Sequence, residues 1–208
     1  MLAEEFTFYD LDDHVYAKIE SIVEQICSRA GVSDIGVILF EIITEIVQNA
    51  AKANFKEVLR HEIAADMNHS QEYETLMKNF KDRLPTAHYE LAEKAKKLNL
   101  YIMLEATLSK SAILHLCVVN NRPASIEEMR RLDNKIVESK KYVKLADYYL
   151  KHYDDTEGAG LGTALIDISL RAIGYKNFLY RVYNDSSSRT VAELIIDLKE
   201  YVPVNNCI

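Results

Sequence analysis

Residues 158–163 read Gly-Ala-Gly-Leu-Gly-Thr, and residues 45–52, far upstream, read Glu-Ile-Val-Gln-Asn-Ala-Ala-Lys. Three of the six glycines of the chain fall in the first stretch, directly before an apolar segment with helical spacing. Glycines let backbone N–H groups approach an anion, and a helix that follows directs its positive dipole end toward that anion. The stretch therefore predicts a phosphate-binding loop, although a hinge or a helix stop would have the same composition.

The upstream stretch carries three polar side chains on one face of a predicted helix. Glu45 and Asn49 are four residues apart, and Lys52 follows three residues later. This set suits a magnesium nucleotide: Asn49 as a metal ligand, Lys52 as a counter-charge for phosphate, and Glu45 as a base or water-orienting group. Taken alone, the same spacing is also typical of a solvated helix edge.

Composition limits the classes of protein to consider. The chain has 208 residues, of which 49% are hydrophobic and 27% charged, which predicts a single globular domain over 1–208. A net charge of −7 argues against nucleic acid or an anionic membrane as a partner. The three cysteines form no metal-binding pair, and neither a signal peptide nor a membrane-spanning run is evident. These features predict a cytoplasmic protein.

The expected elements alternate between helical groups and β-hairpins. Apolar spacing predicts helices at about 13–29, 34–54, 56–82, 86–97, 126–152 and 162–174, and strands at 5–9, 100–107, 112–119, 177–183 and 189–197. Ser125 and Glu128 predict a capping box at the start of the fifth helix. This order predicts an α+β fold, a two-layer sandwich with helices on one face of a mixed, mainly antiparallel sheet.

The two motifs, in this order and about 110 residues apart, resemble those of the GHKL ATPase superfamily. That superfamily includes histidine-kinase ATP-binding domains, anti-sigma-factor serine kinases and the gyrase-type and Hsp90-type ATPases. Residues 45–52 match its N box, and 158–163 match the glycine-rich box after its ATP lid. Residues 118–124 stand where the family has Asp-x-Gly-x-Gly, and 188–194 resemble its last hairpin. The resemblance covers about 15–200, nearly the whole chain.

The resemblance implies a histidine-kinase-like, Bergerat-type fold with ATP and Mg²⁺ as cofactors. It makes Glu45 the catalytic residue and Asn49 the magnesium ligand. It also implies an ATP lid at about 124–157 and a helical insertion at about 55–98. The residues implied in nucleotide binding are Asn49, Lys52, Asn120, Gly158, Gly160, Leu161, Gly162, Thr163 and Thr190.

The arrangement of the N-terminal elements resembles that of the stand-alone anti-sigma-factor kinases. It implies a cytoplasmic bacterial signalling protein that phosphorylates Ser or Thr on a regulatory partner of the sigma-factor, antagonist or response-regulator type. Fewer than 40 residues precede the N-box helix, so we expect no phosphoacceptor hairpin of a self-phosphorylating histidine kinase. A homodimer is left open.

Three residues of the middle motif depart from the family pattern. Asn120 replaces the Asp that accepts a hydrogen bond from adenine, and Arg122 and Ala124 replace two glycines. The Asn carbonyl can still accept that bond, whereas the other two changes favour an alternative function. In that alternative the fold is kept, catalysis is lost, and the protein is a binding or scaffold module acting through 55–98. A third possibility is an unrelated α+β protein in which the motifs occur by chance.

Overall fold

The fold is described from a computed structural model, which covers residues 2–66, 87–152 and 161–201. The described strands are β1 (Leu2–Phe8), β2 (Ile102–Leu108), β3 (Ile113–Asn120), β4 (Phe178–Asn184) and β5 (Thr190–Asp197). The described helices are α1 (Asp13–Ala30), α2 (Gly36–Asp66), α3 (87–97), α4 (Ile126–Ser139), α5 (Leu145–His152) and α6 (Leu161–Ala172). Short 3₁₀ turns occur at Ser33–Ile35 and Leu198–Glu200.

The strands form one sheet in the order β1-β2-β3-β5-β4, and each neighbouring pair is antiparallel. The two predicted hairpins, β2–β3 and β4–β5, are therefore confirmed, and β3 joins them by pairing with β5. Because side chains alternate along a strand, Leu104, Leu116 and Leu194 face the helices and pack into the main core. The α+β fold, with helices packed on one face of this sheet, is as predicted, but all pairs of the described strands are antiparallel, so the sheet is not mixed.

The helical layer is built on α1 and α2, whose apolar stripes pack against the sheet. Helix α1 begins where the Asp12 carboxylate accepts a hydrogen bond from the Val15 N–H at 2.9 Å. It ends at Gly31, whose φ of 75° favours glycine. Among the helices that the structure describes, none is both long enough and apolar enough to cross a bilayer.

Helix α2 is longer than predicted, because it continues through Asn54 as far as Asp66. The prediction of separate helices at 34–54 and 56–82 was wrong at this junction, and residues 67–86 lie outside the described part. Asn54 does not end the helix, because its side chain is buried and bonded to the sheet. Helix α3 packs on the same domain, where the Lys94 ammonium lies 2.5 Å from the Glu62 carboxylate of α2.

The segment predicted as one helix over 126–152 is two helices, α4 and α5. Arg171 of α6 holds the junction between them. Its guanidinium donates to the carbonyl oxygens of Ser139 and Tyr142 at 3.1 and 2.8 Å. The same group also donates to the buried Asp167 carboxylate at 3.0 Å. The described part of the lid-like segment is thus folded against α6.

Candidate functional site

The two sequence motifs meet where α2 crosses the first turn of α6. A Cβ atom added to Gly162 would lie 2.5 Å from the Glu45 Cδ and 2.8 Å from its Cγ, and closer still to Oε1. Real Cβ atoms essentially never approach other heavy atoms this closely, so any larger residue at position 162 would require the Glu45 side chain to shift. The Glu45 carboxylate therefore lies directly against the N-terminal turn of α6.

Glu45 interacts with the other two polar residues predicted on this face of α2. The Asn49 side chain donates a hydrogen bond to the Glu45 carboxylate, and the Lys52 ammonium interacts with it electrostatically. Burial nevertheless raises the pKa of the Glu45 carboxyl above its ordinary value, because desolvation outweighs both favourable interactions. Asn49 itself is exposed and Lys52 is half-buried. The structure thus brings the three residues together, and their roles stay predictions.

Part of the glycine-rich loop lies outside the described residues, including Gly158 and Gly160. Leu161 is the first residue of α6, and Thr163, in the same turn, is 6% exposed. A helix N-terminus carries unpaired N–H groups and a partial positive charge. The role of this turn in phosphate binding stays a prediction, and the Glu45 carboxylate lies beside it.

At the end of β3, Asn120 is held by a buried amide network. Its Nδ2 donates to the Ala50 carbonyl and to the Asn54 Oδ1, both at 2.9 Å. Asn54 in turn donates to the Leu100 carbonyl at 2.9 Å. Because both groups facing the Asn120 nitrogen are acceptors, a donor is needed here, and an aspartate would face two oxygens. The network gives a physical reason for Asn at this position, and it commits the Asn120 nitrogen to α2.

The turn after β3 is hydrogen-bonded to the β4–β5 hairpin. The Thr190 N–H and hydroxyl donate to the Arg122 carbonyl at 3.0 and 2.8 Å, and the Ala124 N–H donates to the Thr190 hydroxyl at 2.7 Å. Asn184 also bonds both backbone groups of Ala124. Neither Arg122 nor Ala124 has a positive φ, and the Arg122 side chain is exposed. The turn therefore forms without glycine, and it uses the hydroxyl of Thr190, a predicted nucleotide-binding residue.

Two residues near these groups were missed by sequence reasoning. Asn54 is a polar residue on the buried face of α2, four positions after Ala50, and that placement was the available signal. Tyr180 faces the helices from β4, in alternation with Leu179. Burial raises the pKa of the Tyr180 hydroxyl, and the nearby Glu45 carboxylate adds to the effect. A cross-element pairing of this kind leaves no pattern in the sequence.

Comparisons with known proteins give two likenesses. No protein-family model matches the chain. An uncharacterized protein of Treponema pallidum is 26% identical over 192 residues, which are 91% of this chain and 37% of that protein. The chain thus spans little more than a third of that relative's length. A chain in the crystal structure of the SiaB-SiaC complex from Pseudomonas aeruginosa is 11% identical, with a TM-score of 0.48, covering 93% of this chain and 89% of that one.

Proposed function

We propose that this chain is a GHKL-type protein that binds Mg-ATP, acts in signalling, and transfers phosphate to a Ser or Thr of a regulatory partner protein. The observation that carries the proposal is the contact between Glu45 and Gly162. Two motifs about 110 residues apart, each weak alone, lie against each other in the fold. A chance match of the motifs would not require them to meet.

The side chains present fit the proposed cofactor by their chemistry. Asn49 would supply a hard oxygen to Mg²⁺, and Lys52 a positive charge to the phosphates. The carbonyl oxygen of Asn120 would accept from the adenine amino group, because its nitrogen is already bonded to α2. Bound Mg²⁺ would neutralise phosphate charge.

In the proposed transfer, Glu45 would act as the proton acceptor. A general base works best when its pKa is near the operating pH, and burial moves the pKa of Glu45 upward from the ordinary carboxyl range. Glu45 would take the proton of the Ser or Thr hydroxyl as that oxygen bonds to the terminal phosphorus and the bond from this phosphorus to ADP breaks. Glu45→Gln is therefore expected to keep ATP affinity and to lose phosphate transfer.

The binding step is tested by calorimetric titration of the full chain with Mg-ATP. We expect saturable binding that Asn49→Ala weakens by at least roughly 10–100-fold. That is the loss of affinity caused by removing a residue that only supports a metal ligand, and Asn49 is proposed as a ligand itself. Asn177→Ala, which removes an exposed amide just before β4 and outside the lid-like segment, is the matched control and should bind as the wild type does. Absence of both heat and thermal shift at millimolar ATP would contradict the proposal, and undiminished binding by Asn49→Ala would contradict the site.

A second candidate function is a binding or scaffold protein without catalysis. The observation that favours it is again at Gly162, because the Glu45 carboxylate lies where an incoming phosphate is expected, and like charges repel. In this case the wild type does not bind ATP, whereas Glu45→Gln, which removes the negative charge, gains binding. The two candidates thus predict different effects of Glu45→Gln: unchanged ATP affinity in the first, and a gain of ATP binding in the second.

A further inference from the structure

A second cluster of reactive side chains lies on the face of the sheet opposite the helical core, here called the outer face. His115 and Cys117 are two residues apart on β3, so both point to this face. Glu193 of β5 is directly opposite Cys117 in the β3–β5 register. None of these three residues belongs to the proposed nucleotide site. They place an imidazole, a thiol and a carboxylate side by side on a rigid part of the fold.

The three ligand atoms converge on one point. The His115 Nε2 lies 2.9 Å from the Glu193 Oε1 and 3.4 Å from the Cys117 Sγ, and all three atoms lie within 4.8 Å of one another. Ideal zinc bond lengths and tetrahedral angles give edges of about 3.6 Å between N and S and about 3.3 Å between N and O. The two observed His115 distances, 3.4 Å to sulfur and 2.9 Å to oxygen, are within about 0.5 Å of these edges.

The neighbours of the cluster orient the carboxylate and adjust its charge. Arg181 of β4 donates to the other oxygen of Glu193, Oε2, at 2.5 Å, which leaves Oε1 directed at His115. Glu105 of β2 is opposite Cys117 in the β2–β3 register and adds a second negative charge nearby. This carboxylate offsets the Arg181 cation, so the surroundings do not repel a divalent ion. Metal sites commonly use such outer partners to fix their ligands.

Access and burial also fit a bound ion. The Glu193 side chain is 7% exposed and Cys117 is 9% exposed, whereas the His115 side chain is 44% exposed and leads to solvent. A buried carboxylate and thiol beside an open imidazole allow an ion to enter and keep a water molecule as its fourth ligand. Mixed nitrogen, sulfur and oxygen ligands favour Zn²⁺ over Mg²⁺ or Ca²⁺, which prefer oxygen alone.

We propose that His115, Cys117 and Glu193 bind a Zn²⁺ ion on the outer face of the sheet, with water as the fourth ligand. Burial, together with the Glu193 and Glu105 carboxylates, raises the pKa of the Cys117 thiol to about 11. The thiol is thus protonated at neutral pH in the metal-free protein. When Zn²⁺ binds the sulfur, it replaces this proton, which leaves to solvent. The site is independent of the proposed nucleotide function.

The test is a titration of the metal-free full chain with Co²⁺, followed by Zn²⁺ competition. We expect a sulfur-to-cobalt charge-transfer band and intense visible bands of tetrahedral Co²⁺, saturating at equimolar ion and displaced by Zn²⁺. Cys117→Ser should abolish the charge-transfer band, and His115→Ala should weaken affinity by about 100-fold or more. Cys27→Ala, which removes the buried thiol of the main core, is the matched control and should keep the band.

Two outcomes would overturn the proposal. One is absence of the charge-transfer band in the wild type. The other is a band that persists in Cys117→Ser, which would assign binding to another thiol. Circular dichroism of each variant establishes that it is folded, and Glu193→Gln, which keeps the size of the side chain, provides a second variant that should lose affinity. Calorimetry in buffers of different ionisation enthalpy measures the proton released from Cys117, and release that is equal in Cys117→Ser would count against the site.

Discussion

Replacing Gly162 by Ala tests whether the contact between α2 and α6 is as close as described. In an open helix position Ala is more stable than Gly by up to about 1 kcal/mol. Here the new methyl group would overlap three atoms of the Glu45 side chain, and overpacking of this kind costs about 1–3 kcal/mol. We therefore expect Gly162→Ala to destabilise the protein by about 0–3 kcal/mol, although its helix propensity improves.

Removing the opposing side chain should reverse the sign of this effect. In a Glu45→Ala background the methyl group enters vacated space, and Gly162→Ala should then stabilise by up to about 1 kcal/mol. The coupling energy of the double-mutant cycle is expected to be about 1–3 kcal/mol, measured by urea unfolding with equal slopes for all variants. Gly36→Ala is the control, because its Cβ would lie 3.8 Å from the Cys27 Sγ, an ordinary contact. A coupling energy near zero would refute the described packing.

Three further predictions concern stability. Asn120→Asp should lower the free energy of unfolding, measured with denaturant, by about 2–3 kcal/mol, because the buried carboxylate would face two acceptors. Asn134→Asp, on the exposed side of α4, is the control and should change that free energy by less than about 0.5 kcal/mol. Arg171→Ala should cost about 2–4 kcal/mol, since it leaves a buried carboxylate unpaired and frees two carbonyls; equal thermal unfolding of variant and wild type would contradict this. Burial raises the pKa of Cys27 and of Tyr175, so the unfolded chain loses these protons at lower pH than the folded one. Stability should therefore be full below about pH 9 and fall above it, and Cys27→Ala and Tyr175→Phe should each flatten the slope of unfolding free energy against pH.

Local patterns in the sequence predicted much of the fold, because each rests on neighbouring residues alone. The capping box is confirmed, with the Ser125 hydroxyl accepting from the Glu128 N–H and the Glu128 carboxylate accepting from the Ser125 N–H. The hairpins were predicted because in each case two strands follow each other closely in the sequence, and both are present. The prediction of a helix end at Asn54 was wrong because a polar residue on a helix can bond to a distant strand, here to Asn120 of β3, instead of capping.

The candidate site was predictable only in part. The spacing of Glu45, Asn49 and Lys52 placed them on one helical face, and the structure shows that they interact. The amide network of Asn120 and the hydrogen bonds between Thr190 and the turn after β3 could not be predicted, because they join groups 46 to 70 residues apart. The roles of these residues in nucleotide binding stay predictions, as do the single-domain boundaries.

The sequence by itself determined the period of the apolar residues in each element, two for strands and 3.6 for helices. This period determines which side chains can enter a core between a sheet and a helical layer. It also determined that a glycine-rich stretch precedes α6. Only the tertiary structure decided that Glu45 lies against Gly162, that two acceptors face Asn120, and that His115, Cys117 and Glu193 converge on the outer face. The physical reason is that local periodicity fixes the direction of a side chain, whereas its partner depends on which elements pack together and in what register.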